Sequence, residues 1–280
     1  MSDPRQTIAT TVALSGVGIH SGITTTLTFR PGDGRGVVFR RVDLPGHPEL
    51  TAGVEQVRSS ARQVVLADGA ACVHTVEHVL AAVWALRVDD LVIELDGAEV
   101  PGVDGSAAPF VEALRANGFV ATKGAPHVVR LDRPLRVHEG SSVYTVAPRA
   151  GLRLGVTIEW NHPLIGRQHR CFDIPPECFA AELAGARTFG FRRDADELRR
   201  AGLAGGVTTE NAIILSDLGV EGGAFRWPDE PLRHKVVDLV GDLALLGARL
   251  EAEIVALRPG HTGNVALVKA LAKRSTKPEA

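Results

Sequence analysis

Cysteine is scarce in this 280-residue sequence: Cys72, Cys171 and Cys178 are unequally spaced and form no CxxC pair. That excludes a disulfide framework and a thiolate zinc site, and it fits a reducing compartment. No apolar run approaches the length that spans a bilayer. The opening segment, MSDPRQTIATTVALSGVGIHSG, lacks a charged start followed by an apolar stretch, so no secretory signal is read and a cytoplasmic location is expected. Neither charge is in excess. The formal net charge of -2 leaves no surplus of cations for a phosphate backbone, which argues against a nucleic-acid binder. What is present, 45% hydrophobic and 23% charged residues, is ordinary for a soluble enzyme. The length allows one large domain or two modest ones, with a substantial core.

Residues 7–42 read as strands broken by turn glycines; ITTTLTFRP alternates and stops at Pro31, and VVFRRVDL follows. Residues 46–72 read as irregular or short strands. From His74 the period changes. HTVEHVLAAVWALRV reads as a helix, DDLVIELDG as a strand, EVPGVDGS as a glycine-rich loop and AAPFVEALRANG as a helix closed by Gly118. Beyond a linker at 121–126 the strand pattern returns in HVVRLDRPLRVHEG, SSVYTVAPRAG and LRLGVTIEW. IPPECFAAELAGARTF starts at two prolines and continues as a helix, and 188–226 is irregular. LRHKVVDLVGDLALL is a helix, EAEIVALRPG a strand, HTGN a turn and VALVKALAKRS a final helix.

The two halves end alike: a helix with an ionisable residue, a strand, a glycine-containing loop with another, and a short apolar helix. In the first half His78 precedes Asp104, and in the second Asp238 precedes His261. This repeat of architecture predicts an α+β protein of two αβ domains of related topology, 1–123 and 124–280, each a sheet with helices on one face. Helices from both halves would then meet at the domain interface, a usual place for a site.

Within 232–246, Val236, Val237, Val240, Leu243 and Leu246 form an apolar helical stripe. His234, Asp238 and Asp242 recur every four residues on another face. Such a row is either solvated or, if buried, needs a cation or a proton-transfer partner. His and Asp at this spacing suit zinc, and three protein ligands leave one position open for catalysis. A second helix strengthens that reading. His74-Thr75-Val76-Glu77-His78 matches H-x-x-E-H, the inverzincin pattern in which two His bind zinc and Glu activates water, although an ordinary helix start fits too. His78, His234 and Asp238 together would make a two-imidazole, one-carboxylate set, with Glu77 adjacent as a general base.

Several motifs then occur in order: SGVGIHSG at 15–22, TVEH at 75–78, VDGSAAPFV at 103–111, ARTFGF at 186–191, HKVVDLVGDL at 234–243 and PGH at 259–261. The set resembles the zinc-dependent UDP-3-O-acyl-N-acetylglucosamine deacetylase family of lipid A biosynthesis, over roughly residues 5–272. The resemblance implies His78, His234 and Asp238 as metal ligands, Glu77 as general base, and His261 as oxyanion stabiliser and general acid oriented by Asp242. It implies Thr188 as a hydroxyl that assists at the oxyanion. It also implies helices sandwiched between the two sheets and an insertion at about 188–220 that forms an acyl-chain passage. Phe189 and Phe191 match positions lining that passage, with core packing the equal alternative. Lys235 and His20 match substrate contacts, Arg258 a basic residue near the nucleotide phosphates, and Trp160, with Glu159 beside it, an aromatic near the uracil. The implied cofactor is Zn²⁺, with Fe²⁺ suited to the same ligands. The implied partner is a UDP-linked acylated amino sugar, with no nucleic acid and no stable membrane insertion, and a monomer is expected.

Under this resemblance His74 is incidental, whereas an inverzincin-type peptidase would use both His74 and His78. Ser142 stands where the family has a nucleotide-binding lysine, and GGVTTENAI at 205–213 departs from the usual form. A paralogue acting on a different sugar and a non-catalytic zinc-stabilised protein are the remaining alternatives. His127, His138, His162 and His169 are expected to face solvent, Cys171 and Cys178 to be packing residues, and Asp104 to support the site.

Overall fold

A computed structural model describes residues 4–69 and 71–274. The architecture is α+β, with two larger sheets built to one plan. The first runs in the spatial order Val12–Val17, Thr24–Pro31, Leu91–Leu95, Val37–Arg41 and Glu49–Thr51. The second runs Leu135–Glu139, Ser142–Pro148, Arg249–Leu257, Leu152–Trp160 and Gly166–Asp173, with Val128–Arg130 also pairing on Arg249–Leu257. In both, successive neighbours pair antiparallel, antiparallel, parallel, antiparallel. The central strand of each sheet is the one that follows the α-helix Glu77–Ala85 or Glu230–Leu243 in sequence.

Four helices carry the argument: α1 (Glu77–Ala85), α2 (Ala108–Ala116), α3 (Glu230–Leu243) and α4 (His261–Ala272). Helix α1 of the first half packs against α3 of the second, while α3 also lies on the Leu152–Trp160 strand and α4 on Leu135–Glu139. The apolar stripe behaves as its spacing demands: Val236, Val237, Val240 and Leu243 are fully buried. The opposite face is buried too, and Lys235 alone in α3 is not. That settles the choice left open by periodicity: the His234–Asp238–Asp242 row is not a solvated face. The α1–α3 approach is so close that a Cβ on Gly241 would lie 2.0 Å from the Glu77 carbonyl oxygen, so only glycine fits there.

Other expectations change. His74 ends the strand Ala71–His74 instead of starting a helix, because Thr75 takes a left-handed φ of 57° and α1 begins only at Glu77. The HTGN segment is the first turn of α4, not a connecting turn. Its Gly, Thr and Asn are turn formers in isolation, but the buried Val265, Leu267, Val268 and Leu271 fix the helix they precede. The helix expected from the two prolines is short, Pro176–Cys178 continuing into a wide turn at Phe179–Leu183. The stretch expected to be irregular contains a three-stranded sheet of Phe189–Phe191, Ile213–Ser216 and Gly219–Glu221 and a short helix at Ala195–Arg200. Among the described residues no helix is long and apolar enough to cross a membrane.

Candidate metal centre and active site

Three helices converge on one cavity of about 650 Å³. Helix α1 brings in Glu77 and His78 from its first turn, α3 brings His234 and Asp238 one turn apart, and α4 brings His261 at its first residue. Ligand atoms of His78, His234 and Asp238 all lie within 4.8 Å of one another, and all three residues are buried. Asp238 Oδ1 is 3.3 Å from His234 Nε2 and 3.7 Å from His78 Nε2, and the two imidazole rings meet edge to face at 5.0 Å.

The electrostatics fit a cation. The Ala186 carbonyl accepts from His234 Nδ1 at 3.0 Å, which fixes the tautomer and turns the Nε2 lone pair toward Asp238. Burial pushes His234 down to about 3, so it is neutral, as a ligand must be. Burial works against the charge on Asp238, yet the Lys235 ammonium beside it helps hold its pKa well below the usual carboxylate range. Lys235 Nζ bonds Asp238 Oδ2, leaving Oδ1 buried with no hydrogen-bond partner. A buried anionic oxygen without a donor, facing two imidazoles, is costly unless a cation occupies the point between them. This donor set, two nitrogens and a carboxylate, suits a divalent transition metal with an open position.

Next to it sits a second pair. Glu77 Oε1 is 3.6 Å from His261 Nε2, and Glu77 Oε2 accepts the Val64 backbone N–H at 3.1 Å. Burial raises the Glu77 pKa, against the opposing pull of His261 and His78. Burial disfavours the charged form of His261 as well, but Asp242 and Glu77 overcome it and push the imidazolium up to about 10. Its Nδ1 is 2.8 Å from Asp242 Oδ2. One carboxyl poised to take a proton and one imidazolium poised to give one thus line the same wall.

Thr188, Phe189, Phe191, His20, Lys235 and Trp160 also line this cavity. The Thr188 backbone is pinned between the Gly105 carbonyl and the Ile213 N–H. Phe189 meets Trp160 at 5.4 Å and Phe191 at 6.2 Å, so these rings are both wall and packing. Trp160 reaches onward to a shallow groove with Glu159, Arg167 and Arg258. There Arg258 and Arg167 both hold Glu159, at 2.7 and 2.8 Å.

His74 stands outside the cluster, its Nε2 3.4 Å from Cys72 Sγ, so the two histidines of H-x-x-E-H do not share a helix face. Two further expectations are corrected. His162 is buried, because it closes its own turn by accepting the Leu164 N–H, and Cys171 is exposed on a sheet face instead of packed. Asp104 lies in its loop accepting from the Ser106 N–H at 3.0 Å and from Arg226 at 3.0 Å. Sequence reasoning missed Val64, Ala186 and Asn264. The first two act through backbone atoms and leave no side-chain signal, and the third was hidden in a segment that reads as a turn.

A family model described as UDP-3-O-acyl N-acetylglycosamine deacetylase matches residues 5–273. The chain belongs to this deacetylase family. Relatives named UDP-3-O-acyl-N-acetylglucosamine deacetylase include one from Bdellovibrio bacteriovorus, 42% identical over 261 residues (92% of this chain, 86% of the relative). Another, from Geotalea uraniireducens, is 37% identical over 273 residues (97% and 89%). A third, from Brucella melitensis biotype 2, is 38% identical over 279 residues (99% and 98%). As a member of this deacetylase family the chain is a hydrolase.

Proposed function

We propose that this deacetylase hydrolyses the 2-acetamido group of a UDP-3-O-acyl-N-acetylglucosamine, releasing acetate, as a step of lipid A biosynthesis. The observation that carries the reading is the buried, donorless Asp238 Oδ1 facing two imidazoles, with Glu77 and His261 on the same wall. His78, His234 and Asp238 would hold Zn²⁺, or Fe²⁺, which the same ligands suit. Bound there, the ion supplies Lewis acidity that polarises the amide carbonyl and acidifies water.

The chain's own residues do the rest. Glu77, its basicity raised by burial, takes a proton from the attacking water. His261, kept as the imidazolium by Asp242, stabilises the developing oxyanion and protonates the departing amine. The Thr188 hydroxyl assists at the oxyanion from the cavity wall. Phe189 and Phe191 offer apolar surface to the 3-O-acyl chain, and His20 and Lys235 contact the sugar side of the substrate. Trp160 stacks toward the uracil, and Arg258, steadied by Glu159, faces the phosphates.

Acetate release from the UDP-sugar tests this, measured with metal-free protein and again after one equivalent of Zn²⁺ or Fe²⁺. Release that returns with the ion supports the proposal. Full activity without metal, or none on this substrate at any metal content, overturns it.

A further inference from the structure

The acid–base wall has a support that the mechanism above leaves unused. Asp242 is fully buried and receives two donors on a single oxygen: Oδ2 accepts from His261 Nδ1 at 2.8 Å and from Asn264 Nδ2 at 2.8 Å. Its other oxygen, Oδ1, is buried without a partner. Asn264, also fully buried, is held at its far end by the Tyr144 hydroxyl, which donates to Oδ1 of the amide at 2.6 Å. A phenol can rotate its proton, but a carbonyl oxygen can only accept. The Tyr144 bond therefore selects the amide orientation that points Nδ2–H at Asp242. Tyr144 is itself fully buried on the Ser142–Pro148 strand, and it reaches this point because residue 263 is glycine. A Cβ at Gly263 would lie 2.7 Å from the Tyr144 hydroxyl oxygen.

We propose that Tyr144 and Asn264 are positioning residues for the general acid. They form a chain from sheet to helix, Tyr144 to Asn264 to Asp242 to His261, that fixes which Asp242 oxygen faces the imidazole and at what angle. Without Asn264 the carboxylate can turn, because Oδ1 is an equally free acceptor for the His261 N–H. With Asn264 in place, Oδ2 is locked between two donors, and His261 Nε2 is held toward Glu77 and the cavity. Neither residue touches substrate or the metal cluster, so their contribution passes entirely through Asp242. This inference rests on the deacetylase reading given above.

Two variants test it in the metal-loaded enzyme. Tyr144→Phe removes the hydroxyl and nothing else, and Asn264→Leu keeps the approximate size but removes the donor to Asp242. The expected result is a kcat about tenfold lower for Tyr144→Phe and lower still for Asn264→Leu, with KM within about twofold of wild type, the range typical of lost outer hydrogen-bond partners at an active site. The far-downfield NMR resonance of the His261 Nδ1 proton should shift in both variants while bound metal stays at the wild-type level. Unchanged kcat, an unmoved resonance, or a loss that appears only in thermal stability overturns the proposal. If wild type itself releases no acetate, the deacetylase reading fails instead, and the NMR shift alone still decides whether the chain of hydrogen bonds exists.

Discussion

Substituting alanine for Gly241 separates this structure from any account based on helix propensity alone. In the interior of a helix, Gly→Ala is worth about 1 kcal/mol of added stability. Here the new Cβ would stand 2.0 Å from the Glu77 carbonyl oxygen, 2.8 Å from its carbonyl carbon and 3.1 Å from its Cα. All three are backbone atoms, so no rotamer change relieves the clash, and α1 and α3 must part by about an ångström. Overpacking of this kind costs about 1–3 kcal/mol, enough to cancel the propensity gain and leave a net loss. The displaced element is the one that carries Glu77 and His78, and a shift of that size at reacting groups costs on the order of a hundredfold in rate. Chemical denaturation and acetate release, measured on the same preparation, should both fall. Gly247→Ala is the control: φ there is 65° and nothing lies within 4 Å of the added Cβ, so stability should drop by about 1 kcal/mol with activity intact. A Gly241→Ala protein more stable than wild type, with normal turnover, would refute the close crossing and the reasoning built on it.

Glu77→Gln should lower kcat by about a hundredfold or more if the carboxylate is the base, with metal content unchanged. The rate should be bell-shaped in pH, limited on the alkaline side by loss of the His261 proton. Asp242 is what raises His261, so Asp242→Asn should move that limb to lower pH, and an unmoved limb would contradict the assignment. Away from the site, the buried Asp90 is drawn down by Arg5, Gly36 and Thr122 against the cost of burial. Its folded pKa lies below its unfolded one, so the stability it contributes is present above the ordinary aspartate range and fades as pH falls below it. Arg5→Gln should cost about 1–2 kcal/mol near neutral pH, allowing for the partial exposure of the arginine, and should flatten the acid side of the stability curve.

How much of this was legible in the sequence follows from how local each feature is. His234, Asp238 and Asp242 share a face because they are four residues apart on a helix, and that needs no tertiary information. Glu77 and His78 stand in a recognisable motif, but the helical pattern extends three residues too early because His74 and Thr75 fit it, whereas the helix starts at Glu77. The strained Thr75, held by Gln63 and Glu99, could not be anticipated from a single sequence. The small sheet at 189–221 was unreadable because its strands are three or four residues long and Phe189–Phe191 pairs in parallel with Ile213–Ser216, more than twenty positions away. Asn264 went unnoticed for a similar reason: its partners, Tyr144 and Asp242, come from a strand and a helix that only the fold brings together.

The central claim is that one divalent ion sits between two imidazoles from different halves of the chain and one carboxylate. X-ray absorption at the metal edge of the purified enzyme, with metal counted per chain, tests it most directly. The account predicts one ion with two histidine nitrogens and oxygen ligands, and loss of that signature in Asp238→Ala. A sulfur ligand, a single imidazole, or full metal retention after that substitution would contradict it.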